Sequence, residues 1–168
     1  VTDALTAFGM SASDSTRFAN VLAQASANAN TNVSMMGETF KYVAPVAGAL
    51  GYSVEDTALA IGLMANASIK ASQAGTYLRA ILTRMAKPTK EVQGAMDALN
   101  LSLTNSDGSV KSLNEVIDDL RNGFAGLSKA EQVQMASALG GQEAMSGLLA
   151  IVNASTTDFD KLKDSVYN

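Results

Sequence analysis

The sequence predicts an all-α fold: a compact multi-helix domain of about eight to nine short helices, with one small β-hairpin near residues 101–111. Three observations carry this. Apolar residues recur at helical spacing along most of the chain. The hydrophobic share is 47% against 17% charged, which excludes a wholly disordered chain. That share leans on Ala and Met, with aromatics at only 5%. Ala is the best helix former, and small side chains let helices approach closely.

Ala4, Leu5 and Phe8 form the first stripe, and Gly9 is its left-handed stop. Ser13 or Asp14 is expected to cap a second helix carrying Phe18, Val21, Leu22 and Ala25. Residues 28–32 (NANTN) are a polar break, after which Ser34 is expected to cap a third helix with Met36, Phe40, Val43, Ala44 and Ala47 inward. Pro45 lies inside that helix, where a missing backbone donor favours a bend. Gly51 closes it. Ser53 and Asp56 resemble a capping box, with Asp in place of the usual Glu or Gln. The stretch 58–67 is apolar all round, as in a helix buried on every side, and marks the expected centre of the domain.

A break at 68–72 precedes a helix over 73–86 with Leu78, Ile81, Leu82 and Met85 inward. Lys87-Pro88 ends it, because the residue before Pro disfavours helical geometry. Val92, Ala95, Met96 and Leu99 mark a short helix. Leu101 and Leu103 alternate with polar residues, Asp107-Gly108 is a turn signal, and Val110 resumes the pattern, which together predict the hairpin. Capping-box pairs Ser112/Glu115 and Ser128/Glu131 open two further helices, the first with Leu113, Val116, Ile117, Leu120 and Phe124 inward, the second with Val133, Met135, Ala138 and Leu139. Gly140-Gly141 breaks the chain before a stripe of Met145, Leu148, Leu149 and Val152. Thr157 is the expected cap of the last helix, which carries Phe159, Leu162 and Val166.

The helical stripes reach both ends of the chain, which starts at Val1 rather than Met. Residues 1–168 are therefore expected to be one helical domain excised from a longer chain. The alternative subdivision is a small-residue helical part at 1–87 and a hairpin-plus-helices part at 88–168. No internal repeat or long heptad run is present.

The residue inventory speaks against catalysis. With no His, the commonest general base and imidazole ligand are missing, and with no Cys there are no thiolate metal sites. Ser72 near Lys70 and Ser128 beside Lys129 lack the Ser-x-x-Lys spacing. No phosphate-cradling Gly-rich motif occurs, and Gly140-Gly141 reads as a tight interhelical turn. Glu38 and Glu143 are the carboxylates nearest to apolar stripes, but both read as first-turn helix residues. A lysozyme-like cell-wall hydrolase is the less favoured enzymatic reading, since sugar platforms use aromatic faces and there is no Trp. No catalytic residue, metal ligand or cofactor is expected.

The net charge of −4 and pI near 4.7 argue against stable nucleic-acid binding. The longest uncharged apolar stretches, 42–54 and 57–69, are shorter than the roughly 20 residues a membrane-spanning helix needs. Met35 and Met36 are adjacent and cannot both face one core, so one of them is expected to contact another subunit or a further segment.

Function enters through resemblance. Residues 28–89 combine Asn30-Thr31, Val33-Ser34, Tyr42-Val43-Ala44-Pro45, Ala49-Leu50-Gly51, Ile69-Lys70, Ser72-Gln73-Ala74-Gly75-Thr76 and Leu78-Arg79. This pattern resembles the conserved core region of TP901-type phage tail tape measure proteins, and residues 103–113 (LTNSDGSVKSL) and 139–155 (LGGQEAMSGLLAIVNAS) extend the likeness. The resemblance implies structural motif positions at Pro45, Gly51, Gln73, Gly75, Thr76 and Arg79. In the family, Gly is frequent where Ser68 and Ala71 stand, so any positive φ at these positions strains the residues present. Gln73 or Thr76 is expected to satisfy free amides where the helix begins.

The resemblance further implies a structural module in tail assembly, tail-length determination and DNA ejection, located in the virion tail lumen, and in the host cytoplasm during assembly. The partners it implies are other copies of the chain, tail tube and tail-tip proteins, and tail assembly chaperones. The alternative is a membrane-active module aiding genome passage through the host envelope by way of 43–50 and 58–67, with membrane contact during ejection.

Overall fold

The computed structural model describes residues 2–168. It is all-α: among these residues there are helices α1 (Thr2–Ala7), α2 (Ser15–Ala27), α3 (Val33–Ala49), α4 (Val54–Asn66), α5 (Ala71–Ala86), α6 (Lys90–Ala98), α7 (Leu113–Ala125), α8 (Lys129–Val152) and α9 (Thr156–Tyr167), with a 3-10 turn at Ala12–Asp14 before α2 and no strand.

Most starts are set by one side-chain oxygen accepting from a free backbone amide. Asn32 accepts from Met35 N at 2.8 Å, Ser53 from Asp56 N at 3.0 Å, Thr89 from Val92 N at 3.3 Å, Ser112 from Glu115 N at 3.1 Å and Ser155 from Asp158 N at 3.1 Å. Ser128 and Glu131 form a complete reciprocal box. Such caps are worth about 1 kcal/mol each. Two expected caps are corrected: Asn32 rather than Ser34 opens α3, and Ser155 rather than Thr157 opens α9. In both cases the nearer polar residue takes the extended backbone a cap requires. Asp14 holds the N-cap position of α2, but its carboxylate turns back to the Ser11 amide.

Four stops share one geometry. At Gly51 (φ 78°) the Gly51 amide bonds Gly48 O and the Tyr52 amide reaches back to Ala47 O, both at 3.0 Å. This paired return satisfies two orphan carbonyls and needs a left-handed residue. The same pair of bonds recurs around Gly9, Ser68 and Asn100. Ser68 adopts φ 67°, and Ala71, at the start of α5, adopts φ 53°. Both are left-handed with a side chain present, and so carry strain. Helix α5 begins two residues earlier than the periodicity predicted, at Ala71.

Helix α4 is the centre. Val54 and every residue from Asp56 to Ala65 are buried. Helices α2 and α9 pack on one part of it, α5 and α8 on another, with α3 and α7 also in contact. The most extensive helix pair is α3 with α5, followed by α5 with α8. Phe40 anchors the N-terminal elements, meeting Phe8 and Phe18 edge-on at centroid distances of 5.8 and 5.2 Å. The buried apolar side chains form one continuous cluster from Ala4 to Val166. Val133 is a correction: it faces solvent, and Ala136, Leu139 and Gly140 bury that arm of α8 instead.

Close approach is written in glycine. A Cβ at Gly75 would stand 2.7 Å from Tyr42 Cβ and 2.8 Å from the Thr39 carbonyl oxygen. At Gly48 it would overlap the Ala7 carbonyl, and at Gly62 the Leu162 side chain. These positions set how near α3–α5, α1–α3 and α4–α9 lie.

The expected hairpin is reduced to one antiparallel bridge, Thr104 with Val110, supported by Lys111 N to Leu103 O at 2.9 Å and Asn105 N to Ser109 O at 2.8 Å. Asp107 accepts from the Ser109 amide and hydroxyl, and Gly108 turns at φ 89°. So short a ribbon has too few ladder bonds to extend into strands.

Asp56 does not return a bond to the Ser53 amide, as a capping box would. It is buried, and Oδ2 accepts from Asn114 N at 3.1 Å, in the first turn of α7. The carboxylate therefore lies at the N-terminal ends of α4 and α7 together, where helix dipoles favour negative charge. Burial nevertheless outweighs the bonds from Asn114 and Ser53 and holds its pKa above the ordinary value.

Three outcomes follow for urea unfolding. Gly75→Ala lowers stability by about 1–3 kcal/mol through overpacking, since backbone rather than a flexible tip stands in the way. Ser68→Gly raises it by about 1 kcal/mol by relieving the left-handed strain. Asp56→Ala costs about 1–3 kcal/mol because the Asn114 amide loses its acceptor, and Asp56→Asn costs less because an amide oxygen remains. The raised carboxyl binds its proton more readily folded than unfolded, so wild type gains on Asp56→Asn as pH falls towards the ordinary Asp range.

Candidate functional site

The motif positions divide between construction and surface. Pro45 is exposed on the outer side of α3, and Gly51 serves the stop of that helix. Gly75 is buried at the α3–α5 crossing. Gln73, Thr76 and Arg79 are exposed on α5. The amides at the start of α5 are not served as expected: Lys70, the N-cap residue, makes no capping bond, and the Gln73 amide nitrogen donates to Tyr77 OH at 3.1 Å. What secures this start is Thr39. Its buried hydroxyl shares its proton between Ala71 O at 2.8 Å and Met35 O at 3.0 Å, fixing the left-handed Ala71 against α3.

Thr76 and Arg79 meet again at a cleft of about 710 Å³ between α5 and the middle of α8. Thr76, Ala80 and Thr83 recur at helical spacing along one wall, Tyr42 of α3 closes one side, and Gly140 to Glu143 form the other wall. The cleft exists because α8 is two helical arms rather than one. Gly141 takes φ 75° and ψ 169°, a conformation open essentially to Gly alone.

Arg84 fixes the break. Its Nε donates to Leu139 O at 3.2 Å and its Nη2 to Ala138 O at 3.0 Å, two carbonyls just before the break in α8. A cation at the C-terminal end of that arm also complements the negative end of the helix dipole. Nothing in the sequence distinguished Arg84 from Arg79, because its partners lie 54 and 55 residues away. The Gly-Gly pair was the sole local signal.

Two arginines, Arg79 and Arg84, and one acid, Glu143, line the cleft. Lys70, Arg79, Arg84, Lys87 and Lys90 fall between Thr57 and Lys90, a stretch without Asp or Glu. Among the described residues none of the five forms an ion pair; the pairs present are Arg17–Glu55 and Lys111–Asp119. Arg17 grips Glu55 with two bonds of 2.7 and 2.8 Å. Burial works to raise Glu55, but the Arg17 bonds prevail and its pKa lies below the ordinary value.

A second arginine closes the far end of α8. Arg121 Nη1 donates to Ile151 O at 2.9 Å, and the guanidinium lies 4.4 Å from the centroid of the Phe159 ring. Burial lowers its pKa, while nearby Asp118 and Asp160 act in the opposite direction.

The candidate carboxylates do not come together. Glu143 lines the cleft, whereas Glu38 is half-buried elsewhere on α3. Ser128 is engaged as a helix cap, and Ser72 is exposed in the first turn of α5. Among the described residues no group of three His, Cys, Asp or Glu side chains is placed to hold a metal ion. Met36 is fully buried and Met35 is 36% exposed beside exposed Val33, so the adjacent pair splits as expected. Among the described residues that line the cleft, Glu143 faces Arg79 and Arg84 and has no second carboxylate beside it.

Comparison with known proteins agrees with the pattern in residues 28–89. The profile of the family described as "Phage-related minor tail protein" matches residues 1–141. The chain is 43% identical over 164 residues to the tape measure protein of Pneumococcus phage Dp-1, covering 98% of this chain and 14% of that protein. It is 32% identical over 130 residues to the probable tape measure protein of Escherichia phage P2, covering 76% of this chain and 16% of that one. The chain thus spans a small part of the length of these relatives. No solved structure matches. The chain therefore belongs to the phage-related minor tail protein family, among relatives that are tail tape measure proteins.

Proposed function

We propose that this chain is a structural module of a phage or prophage tail tape measure protein, acting in tail assembly and length determination and in DNA ejection. The observation that carries the reading is 43% identity to a tape measure protein over 98% of the chain. The setting is the virion tail, with the lumen as its position and the host cytoplasm as the place of assembly. Tail tube and tail-tip proteins, assembly chaperones and further copies of the chain are its proposed partners. The 168 residues act as one folding unit, supported by the continuous apolar cluster across both halves.

Within such a protein this segment is an appendage to the measuring rod rather than part of it. As one straight helix, 168 residues would extend about 250 Å. Folded, a chain of this length has a radius of gyration of about 15 Å. The helix stops at Gly9, Gly51, Ser68 and Asn100 oppose any straight rod.

The membrane-active alternative draws on 43–50 and 58–67, whose apolar side chains are largely committed to the core. Among the described residues no helix is long and apolar enough to cross a membrane. Digestion of purified peptidoglycan by the chain would overturn the structural role.

A tandem duplication of the segment inside a relative's tape measure gene tests the rod question. Electron microscopy of the tails is expected to show a length change far below the roughly 250 Å that an added straight helix would give. Tails lengthened by that full amount would refute the appendage reading. Infectious tails of normal structure after complete removal of the segment would refute the assembly role.

A further inference from the structure

Asp or Asn is followed by Gly at two places, Asp107-Gly108 and Asn122-Gly123. Such pairs share one spontaneous reaction. The Gly amide nitrogen attacks the preceding side-chain Cγ and closes a cyclic imide, and Gly leaves that nitrogen least shielded because it has no Cβ. By residue type alone Asn122 ranks first, since a side-chain amide releases ammonia more readily than a carboxyl releases water. The fold reverses that order.

Asn122-Gly123 lies inside α7. In a helix each amide is held to the carbonyl four residues back, so closing the imide there requires local opening of the helix. Gly123 also packs on the end of α6: a Cβ there would stand 3.3 Å from Leu99 O. Asp107-Gly108 lies at the tip of the ribbon, outside every helix, with residues 106–110 exposed. Asp107 Oδ1 accepts from the Ser109 amide at 2.9 Å and from the Ser109 hydroxyl at 2.6 Å. The ring closed by the amide bond runs through Cγ and the Gly108 nitrogen, the two atoms that must meet. The same two donors stabilise charge that builds on the carboxyl oxygen during attack. The Gly108 amide donates to Asn105 O at 3.0 Å, a single bond across an exposed turn rather than one of a helical series. Nothing stands within 4 Å of a Cβ built at Gly108, so the imide has room and water has access.

We propose that Asp107 is a site of spontaneous isomerisation to isoaspartate. From the protonated carboxyl, the bond from Gly108 N to Cγ forms as a Cγ–O bond breaks, and the amide proton leaves with the hydroxyl as water. A second water then opens the imide. Cleavage between N and Cγ restores Asp. Cleavage between N and the Asp107 main-chain carbonyl carbon gives isoaspartate, with the chain running through Cβ and Cγ. Water is the sole co-reactant, and nothing is oxidised or reduced. The lengthened main chain displaces Ser109 from the Asp107 carboxyl and pulls the Thr104–Val110 bridge out of register. None of this depends on the tail role.

The test incubates the 168-residue chain for weeks in neutral buffer, folded and in urea. Its peptides are then read by mass spectrometry and by labelling with isoaspartyl methyltransferase. Deamidation changes a peptide's mass and isomerisation does not, so Asp107 is told apart from Asn122 and from neighbouring Asn105. In the folded chain isoaspartate is expected at 107 at about tenfold or more the level at 122. In urea the order is expected to reverse, because α7 no longer shields Asn122. Asp107→Glu is expected to abolish the signal at 107, since its imide needs a larger ring. Asp107→Asn puts the faster dipeptide into the turn, where it is expected to deamidate while Asn122 stays intact. Folded wild type with no isoaspartate at 107, or with Asn122 reacting first, would overturn the proposal. So would Asp107→Asn that is no more labile in the turn than Asn122 is in the helix.

Discussion

Helix α4 presents no polar face to water, and the surrounding helices are placed to meet that demand. A helix apolar on all sides gains nothing from a surface position, so the hydrophobic effect drives enclosure from every direction. Small residues make the enclosure close. Gly62 lets Leu162 of α9 lie directly on α4, and Gly147 brings the second arm of α8 to within contact of Met64. One step outward, Gly75 does the same for α3 against α5. The low aromatic content is thus a positional requirement: larger side chains at these crossings would push apart the layers that cover α4.

Crowding of this kind leaves helix ends inside or near the core, where their carbonyls cannot all reach water. Long side chains from neighbouring helices answer them. Arg84 serves Ala138 and Leu139, Arg121 serves Ile151, and Gln132 donates to Phe124 O at 3.1 Å. Asp56 does the converse for the amide of Asn114. Each such bond ties two helices by a directional contact that apolar packing alone does not provide. The break in α8 belongs to this scheme: Gly141 permits it, Arg84 bonds the carbonyls just before it, and the cleft lies beside the turn.

This division explains what could be read from the sequence. Local signals were sufficient for the helices themselves, because apolar spacing and caps act within about one turn. Phe18, Val21, Leu22 and Ala25 are all buried, and Ser112 and Ser128 both cap. The motif residues Thr76 and Arg79 proved to share a cleft, and Ser68 and Ala71 proved left-handed. Errors arose where two polar residues competed for one role, as Asn32 with Ser34 and Ser155 with Thr157. The ties through Arg84, Asp56 and Arg121 were not legible. Their partners lie 30 to 58 residues away, and periodicity carries no information about such pairs.

The same stops and ties decide what kind of object this segment is. A rod needs helices that propagate, and propagation requires each turn to hand its carbonyls to the next. Here Gly51, Ser68 and Asn100 hand them instead to amides of the following turn-back, and Lys87-Pro88 removes the option altogether. Ser68 adopts the left-handed stop despite its side chain. A chain that reverses even where reversal is strained is held by its tertiary contacts, here the enclosure of α4, rather than by local preference. Compactness is therefore built into the segment at the level of single residues. What the segment presents outward is therefore a folded surface rather than the run of one straight helix.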